Sequence, residues 1–101
     1  MANEFPLFPL ALSLAMDMGP EAGIPLRERL KDATPGQDPY ERAVAETQAR
    51  HATAFAESLA SQVSAGALTH EAALETIRQK YPSLDERLAN RLRSHGYFRA
   101  R

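Results

Sequence analysis

Large apolar side chains recur three or four residues apart in several stretches of the chain, and prolines and glycines separate these stretches. This spacing places side chains on one face of an α-helix, which has 3.6 residues per turn. Val, Ile and Thr, which favour strands, number only nine among the 101 residues. The pattern therefore predicts an all-α fold of about five helices with no β-sheet.

Two short helices are predicted in the first third of the chain. The first begins at Pro9, because proline lacks an N–H and fits the first helical turn, and it ends near Met18 before a Gly-Pro pair. It is apolar on most sides, so its own domain or another chain has to bury it. The second covers Pro25–Ala33. Residues 1–8 are left open as ordered or disordered.

The longest uninterrupted helical pattern covers about residues 39–65. Asp38 is suited to cap the helix N-terminus, Pro39 fits the first helical position, and no further proline or glycine occurs until Gly66. Such a helix would be about 40 Å long, whereas a domain of this size is only about 26 Å across. We therefore predict a small helical bundle built around this central helix, in a single domain spanning residues 1–101.

Two further helices are predicted near the C-terminus. The fourth begins at Thr69, presents apolar side chains on one side, and ends at Pro82. The sequence Ser83-Leu84-Asp85-Glu86 has the S-x-x-E form of a capping box, so the fifth helix should begin there. It should end at Gly96, which leaves residues 97–101 as a tail.

The number of large apolar side chains is small for covering such a long helix. Eighteen of the apolar residues are alanines, which leaves 26 larger ones. This shortage predicts association with a second copy or with another protein. The residues predicted to form the interface are Val44, His51, Phe55, Leu59 and Val63 on the central helix, followed by Phe5, Phe8 and Leu12 near the N-terminus.

Charge is divided unevenly along the chain. Residues 1–77 carry a net charge of −6, and residues 78–101 carry +5. The basic end could bind nucleic acid or an acidic partner, or its cations could complement helix dipoles and dock on the acidic body. The last two helices also have the outline of a helix-turn-helix motif, although Asp85 and Glu86 would repel phosphates at its leading end. The nucleic-acid contacts in this interpretation are Arg87, Arg91, Arg93, Arg99 and Arg101.

The sequence lacks the motifs that carry most enzyme and metal chemistry. The absence of cysteine excludes disulfides, thiolate ligands and cysteine nucleophiles. His51, His70 and His95 form no metal-binding motif, and no glycine-rich phosphate loop occurs. We therefore expect no catalytic residue, no cofactor and no metal.

The longest apolar stretch, Phe5–Met16, is too short to be a membrane span, which needs about 18–20 residues. No positive cluster precedes it, as one would precede the apolar core of a secretory signal. We therefore expect a cytoplasmic protein without membrane contact.

Three functional interpretations follow, in order of preference. The first is a small non-catalytic protein–protein interaction module, acting as an adaptor, regulator or inhibitor and forming a homodimer, with itself or another protein as partner. The second is a helix-turn-helix-like DNA-binding regulator that uses residues 69–95 and the basic C-terminus. The third is a structural subunit of a larger assembly. No small-molecule substrate is expected.

Overall fold

The computed structural model describes residues 7–17 and 23–99, and no strand occurs among them. The described helices are α1 (Phe8–Ala15), α2 (Leu26–Ala33), α3 (Pro39–Ser64), α4 (His70–Lys80) and α5 (Glu86–Arg99). The predicted fold class, all-α with five helices and a long third helix, is confirmed. None of these helices combines the length and the apolar character needed to cross a membrane.

The chain divides into two compact units, and the division falls inside α3. The unit Asn3–His51 contains α1, α2 and the first half of α3, whereas the other continues from Ala52 through α4 and α5. The largest fully buried side chains are Phe8, Leu12 and Leu30 in the first unit and Ile77 and Leu92 in the second. A single domain over residues 1–101 stays a prediction.

The first helix is shorter than the sequence predicts. It ends at Ala15, and the amide of Asp17 donates to the carbonyl of Leu14 at 3.2 Å, three residues earlier, which tightens the last turn. The predicted end at Met18 is therefore wrong. The second helix begins one residue later than predicted, after Pro25.

Arg29 joins the end of α1 to the start of α2. Its side chain is buried, its Nη1 donates to the carbonyl of Leu14 at 2.7 Å, and its Nε donates to the carbonyl of Ile24 at 2.9 Å. The Leu14 carbonyl, in the last turn of α1, also accepts from the Asp17 amide, so Arg29 is its second donor. The buried guanidinium therefore bonds to a helix end, a role that the sequence pattern does not indicate.

Both ends of α3 are close to their predicted positions. At its N-terminus, Asp38 Oδ1 accepts a hydrogen bond from the amide of Tyr40 at 2.9 Å, which confirms the predicted cap. At its C-terminus, Gly66 has a φ of 80°, and the amide of Ala67 donates to the carbonyl of Gln62 at 2.9 Å. This hydrogen bond and the positive φ of Gly66 are typical of a Schellman motif, for which glycine is favoured because it adopts positive φ without strain.

The buried face of α3 consists mostly of alanines. Its buried apolar residues are Ala45, Ala49, Ala52, Ala56, Leu59 and Ala60. They are three or four residues apart, so they share one side of the helix. Among the larger residues named from the sequence, Leu59 lies on this face, Val44, Phe55 and Val63 are half-buried, and His51 is exposed. Small side chains therefore form the main packing face.

The fourth helix begins as predicted, whereas the start of the fifth differs. Thr69 caps α4, because its hydroxyl accepts a hydrogen bond from the amide of Ala72 at 3.0 Å. At the start of α5, Asp85 Oδ1 accepts from the amide of Leu88 at 2.8 Å. The predicted capping box on Ser83 is therefore wrong, because Asp85 lies directly before the first helical residue and takes the cap.

The fifth helix continues through Gly96 to Arg99. The predicted end at Gly96 is therefore wrong, and so is the predicted 97–101 tail as far as Arg99. Residues 100 and 101 lie outside the described residues. Gly96 is buried against Ala56 of α3, so this glycine permits a close helix contact and does not end the helix.

Candidate functional site

A cleft of about 480 Å³ lies between α2 and the first turns of α3 and is open to solvent on one side. Its residues are spaced three or four apart on each helix, so one face of each helix lines it. They are Arg27, Leu30 and Lys31 on α2 and Pro39, Arg42, Ala43 and Glu46 on α3. All seven belong to the unit Asn3–His51.

Arg42 fixes the turn that joins the two walls of the cleft. Its Nη2 donates to the carbonyl of Thr34 at 2.6 Å, and its Nε donates to the Thr34 hydroxyl oxygen at 3.1 Å. Thr34 is buried, and its hydroxyl donates to the carbonyl of Leu30 at 2.6 Å. The end of α2 is thereby bonded to the first turn of α3, which sets the shape of the cleft.

Positive charge is concentrated around the cleft. The unit Asn3–His51 is acidic, with five Lys and Arg residues against eight Asp and Glu residues. Three of those five cations, Arg27, Lys31 and Arg42, line the cleft, and Glu46 is the one acid among the described residues that line it. Lys31 is exposed and forms no ion pair with any described residue. The cleft is therefore a local positive region on an acidic unit.

Glu46 is the buried charge of the cleft, with a side chain that is only 9% exposed. Its Oε1 accepts a hydrogen bond from Arg27 Nη2 at 3.4 Å. Its Oε2 is fully buried, lies 3.8 Å from Arg50 Nη2, and accepts no hydrogen bond from the described residues. A buried acceptor without a hydrogen bond costs about 1–3 kcal/mol.

The interface residues named from the sequence do not line this cleft. Phe8, Leu12 and Leu59 are buried within the chain, so their surface is already covered. Phe55 packs edge-on against Tyr81, with ring centroids 6.0 Å apart. Lys80 Nζ lies 4.8 Å from the centroid of the Phe55 ring. Phe5 lies outside the described residues.

The basic residues named for nucleic acid differ in their surroundings. Arg87 is exposed, whereas Arg91 and Arg93 are half-buried. Arg99 Nε lies 3.9 Å from Glu57 Oε1. Arg101 lies outside the described residues.

A further cation near the C-terminus, Arg78, is paired with two acids. It lies 3.3 Å from Glu75 and forms a two-point contact with Glu86, which holds the pKa of that carboxyl below its usual value. These contacts, with that of Arg99, favour the explanation in which the basic end docks on acids of its own chain.

The histidines occupy separate positions in the fold. His70 Nδ1 lies 2.7 Å from the hydroxyl of Tyr97, and the two rings meet edge to face. His95 is half-buried in α5, and this burial is the main cause that lowers its pKa. The described residues contain no group of three His, Cys, Asp or Glu side chains that could hold a metal ion.

The sequence pattern does not indicate the cleft. The one available signal was the pair Arg27 and Lys31, one helical turn apart, with Arg42 in the first turn of the next predicted helix. A helical pattern places residues on a face but does not indicate which faces of two helices turn toward each other. Comparison of the chain with protein-family models, with curated proteins and with solved structures found no match.

Proposed function

We propose that this chain is a small non-catalytic protein–protein interaction module that holds an acidic segment of a partner protein in the cleft between α2 and α3. The observation that carries this proposal is the group of three cations, Arg27, Lys31 and Arg42, around a half-open cleft on an acidic unit. Carboxylates of a partner would complement this charge.

The open side of the cleft leaves room for a protein segment that continues beyond it. Small-molecule sites enclose most of the ligand surface, whereas this cleft is open on one side. Its wall on α3 extends from Pro39 to Glu46, about 10 Å along the helix axis. Leu30 and Ala43 add apolar surface for an apolar side chain of the partner.

Lys31 provides the sharpest test, because its charge can be reversed without breaking a bond of the fold. The full-length ¹⁵N-labelled chain would be titrated with a short peptide of glutamates around one central leucine, and amide shifts would be followed by NMR. We expect shifts at Leu30 and Ala43, their loss in Lys31→Glu, and their retention in Arg87→Glu, a matched reversal on exposed α5 surface.

A second peptide separates charge recognition from apolar contact. The same sequence with glutamine in place of glutamate should produce much smaller shifts, and added salt should weaken binding of the glutamate peptide. Equal binding of the two peptides, or binding that survives Lys31→Glu, would contradict the proposed function.

Self-association, the homodimer expected from the sequence, stays part of the proposal. Among the described residues, the large apolar side chains that are exposed are Leu10, Ile24, Tyr40 and Phe98. The alanine-rich face of α3 is already buried within the chain, so self-association has less support than a shortage of apolar cover first indicated. A cytoplasmic location also stays a proposal.

The other two functions stay predictions as well. DNA binding through residues 69–95 and the basic C-terminus would use Arg87, Arg91, Arg93, Arg99 and Arg101. It would weaken by a decade or more between 50 and 200 mM salt. Because Arg87→Glu would reduce DNA binding and Lys31→Glu would reduce peptide binding, the two variants separate these functions. A structural subunit would form open-ended oligomers.

A further inference from the structure

We infer that Glu46 is a specificity-determining residue of the cleft. Its carboxylate repels an anionic ligand group in proportion to that group's negative charge. It therefore shifts the binding preference of the cleft toward carboxylates and away from phosphorylated segments. This inference rests on the proposed function. It specifies the ligand class as an acidic segment of Asp and Glu side chains, and it attributes this preference to the contacts of one buried residue.

The carboxylate of Glu46 lies beside Arg27, where a ligand carboxylate would otherwise pair with that cation. Its Oε1 lies 3.4 Å from Arg27 Nη2, and Arg27 is 82% exposed at the edge of the cleft. Arg42 already donates to Thr34 through two of its nitrogens. An incoming acid therefore meets Lys31 as the unpaired cation and shares Arg27 with Glu46.

The stability of the fold gives little reason for an acid at this position, because its two ion pairs are long, 3.4 Å to Arg27 and 3.8 Å to Arg50, and both arginines are largely exposed. Glu46 Oε2 is buried and accepts no hydrogen bond from the described residues, which is unfavourable for folding. Buried ion pairs are often no more stabilising than neutral groups of the same shape. Because Arg27 stays largely in water, replacing Glu46 with glutamine should leave no uncompensated buried charge.

Repulsion by Glu46 depends on the charge of the ligand group. A glutamate carries one negative charge, whereas a phosphoserine carries about 1.5 to 2 at neutral pH. Coulomb repulsion is proportional to that charge at a given distance. Removing the charge of Glu46 should therefore strengthen binding of a phosphorylated ligand more than binding of a carboxylate ligand. A purely structural role of Glu46 would not produce this difference.

The test measures four affinities with the full-length chain by fluorescence anisotropy. Wild type and Glu46→Gln would each be titrated with the glutamate peptide and with the same peptide carrying phosphoserine at the central acidic positions. We expect Glu46→Gln to bind the glutamate peptide about threefold more tightly and the phosphoserine peptide about five- to ninefold more tightly. Thermal unfolding of both proteins would show that the fold is kept.

Glu28→Gln is the matched control, because Glu28 is an exposed acid on α2 that does not line the cleft. It should leave the ratio of the two affinities unchanged. Equal gains for both peptides, or no gain in Glu46→Gln, would overturn this inference while the proposed function stands. If wild type binds neither peptide, the proposed function fails and this inference fails with it.

Discussion

Gly96 of α5 lies directly against the backbone of Ala56 in α3. A Cβ atom added at Gly96 would come within 2.9 Å of the Ala56 Cβ and closer still to the Ala56 carbonyl oxygen. Real Cβ atoms essentially never approach other atoms within 3.0 Å. The two helices therefore contact through their backbones, and the small side chains of both permit this distance.

Gly96→Ala should destabilise the fold because Ala56 backbone atoms cannot give way as a flexible side chain could. Alanine favours a helix over glycine by about 1 kcal/mol, but overpacking costs about 1–3 kcal/mol, so the steric term should win. Urea unfolding would measure the loss. Gly23→Ala is the control, since an added Cβ there meets nothing within 4 Å, and its effect should be small. Equal effects of the two substitutions would contradict this packing.

The α3–α5 contact explains which parts of the fold were predictable from sequence. The Asp38 cap was predicted correctly because a cap depends on a few neighbouring residues. Gly96 was misassigned as a helix end, because its role depends on a helix about forty residues away in sequence. The residues named for an interface on α3 were large ones, whereas alanines form most of its buried face in the structure.

The start of α5 provides a test of two competing caps. Asp85 Oδ1 accepts from the amide of Leu88, so Asp85→Ala should cost about 1 kcal/mol of unfolding free energy. Ser83→Ala removes the cap predicted from sequence and should have almost no effect. Urea unfolding of both variants would decide between the caps, and a larger loss in Ser83→Ala would reverse the assignment.

His95 should make the stability of the fold depend on pH. Burial lowers its pKa from the ordinary value of 6.5, as does Arg99, while Glu57 acts in the opposite direction and Arg91 adds to the lowering. The unfolded chain therefore binds more protons than the folded chain just below pH 6.5, and the unfolding free energy rises with pH in that range.

The contribution of His95 to stability is therefore complete above pH 6.5 and declines as the pH falls toward the lowered pKa of the folded state. Urea midpoints measured at a series of pH values should show this decline in wild type. His95→Gln, which does not titrate, should show a flatter profile. An unchanged profile in the variant would assign the dependence to other groups.

The candidate site was less predictable than the fold, because it depends on the mutual orientation of two helices. The sequence places Arg27 and Lys31 on one face of α2 and Arg42 near the start of α3. Whether these faces meet depends on Thr34, whose carbonyl and hydroxyl are bonded to Arg42. Side-chain bonds across a turn have no periodic signature, so the cleft could not be read from the pattern.

The predicted homodimer can be checked by light scattering over a wide range of protein concentration. If exposed side chains such as Tyr40 and Phe98 contribute to self-association, the mass should approach twice that of the chain as concentration rises. The thermal midpoint should rise with it, because association stabilises the folded state by mass action. The mass of a single chain at every concentration would contradict the homodimer and leave the peptide-binding proposal intact.

Arg42 and Lys31 both supply positive charge to the cleft, but only Arg42 also shapes it. Arg42→Gln should lower the unfolding free energy by about 1–3 kcal/mol, since the buried oxygens of Thr34 lose their charged donor. Lys31→Gln should leave stability unchanged, because Lys31 is exposed and makes no such bond. Both variants should bind the glutamate peptide more weakly, with the larger loss in Arg42→Gln. Combined urea unfolding and peptide titration would check this, and equal stability of the two variants would show that the Arg42–Thr34 bonds do not shape the cleft.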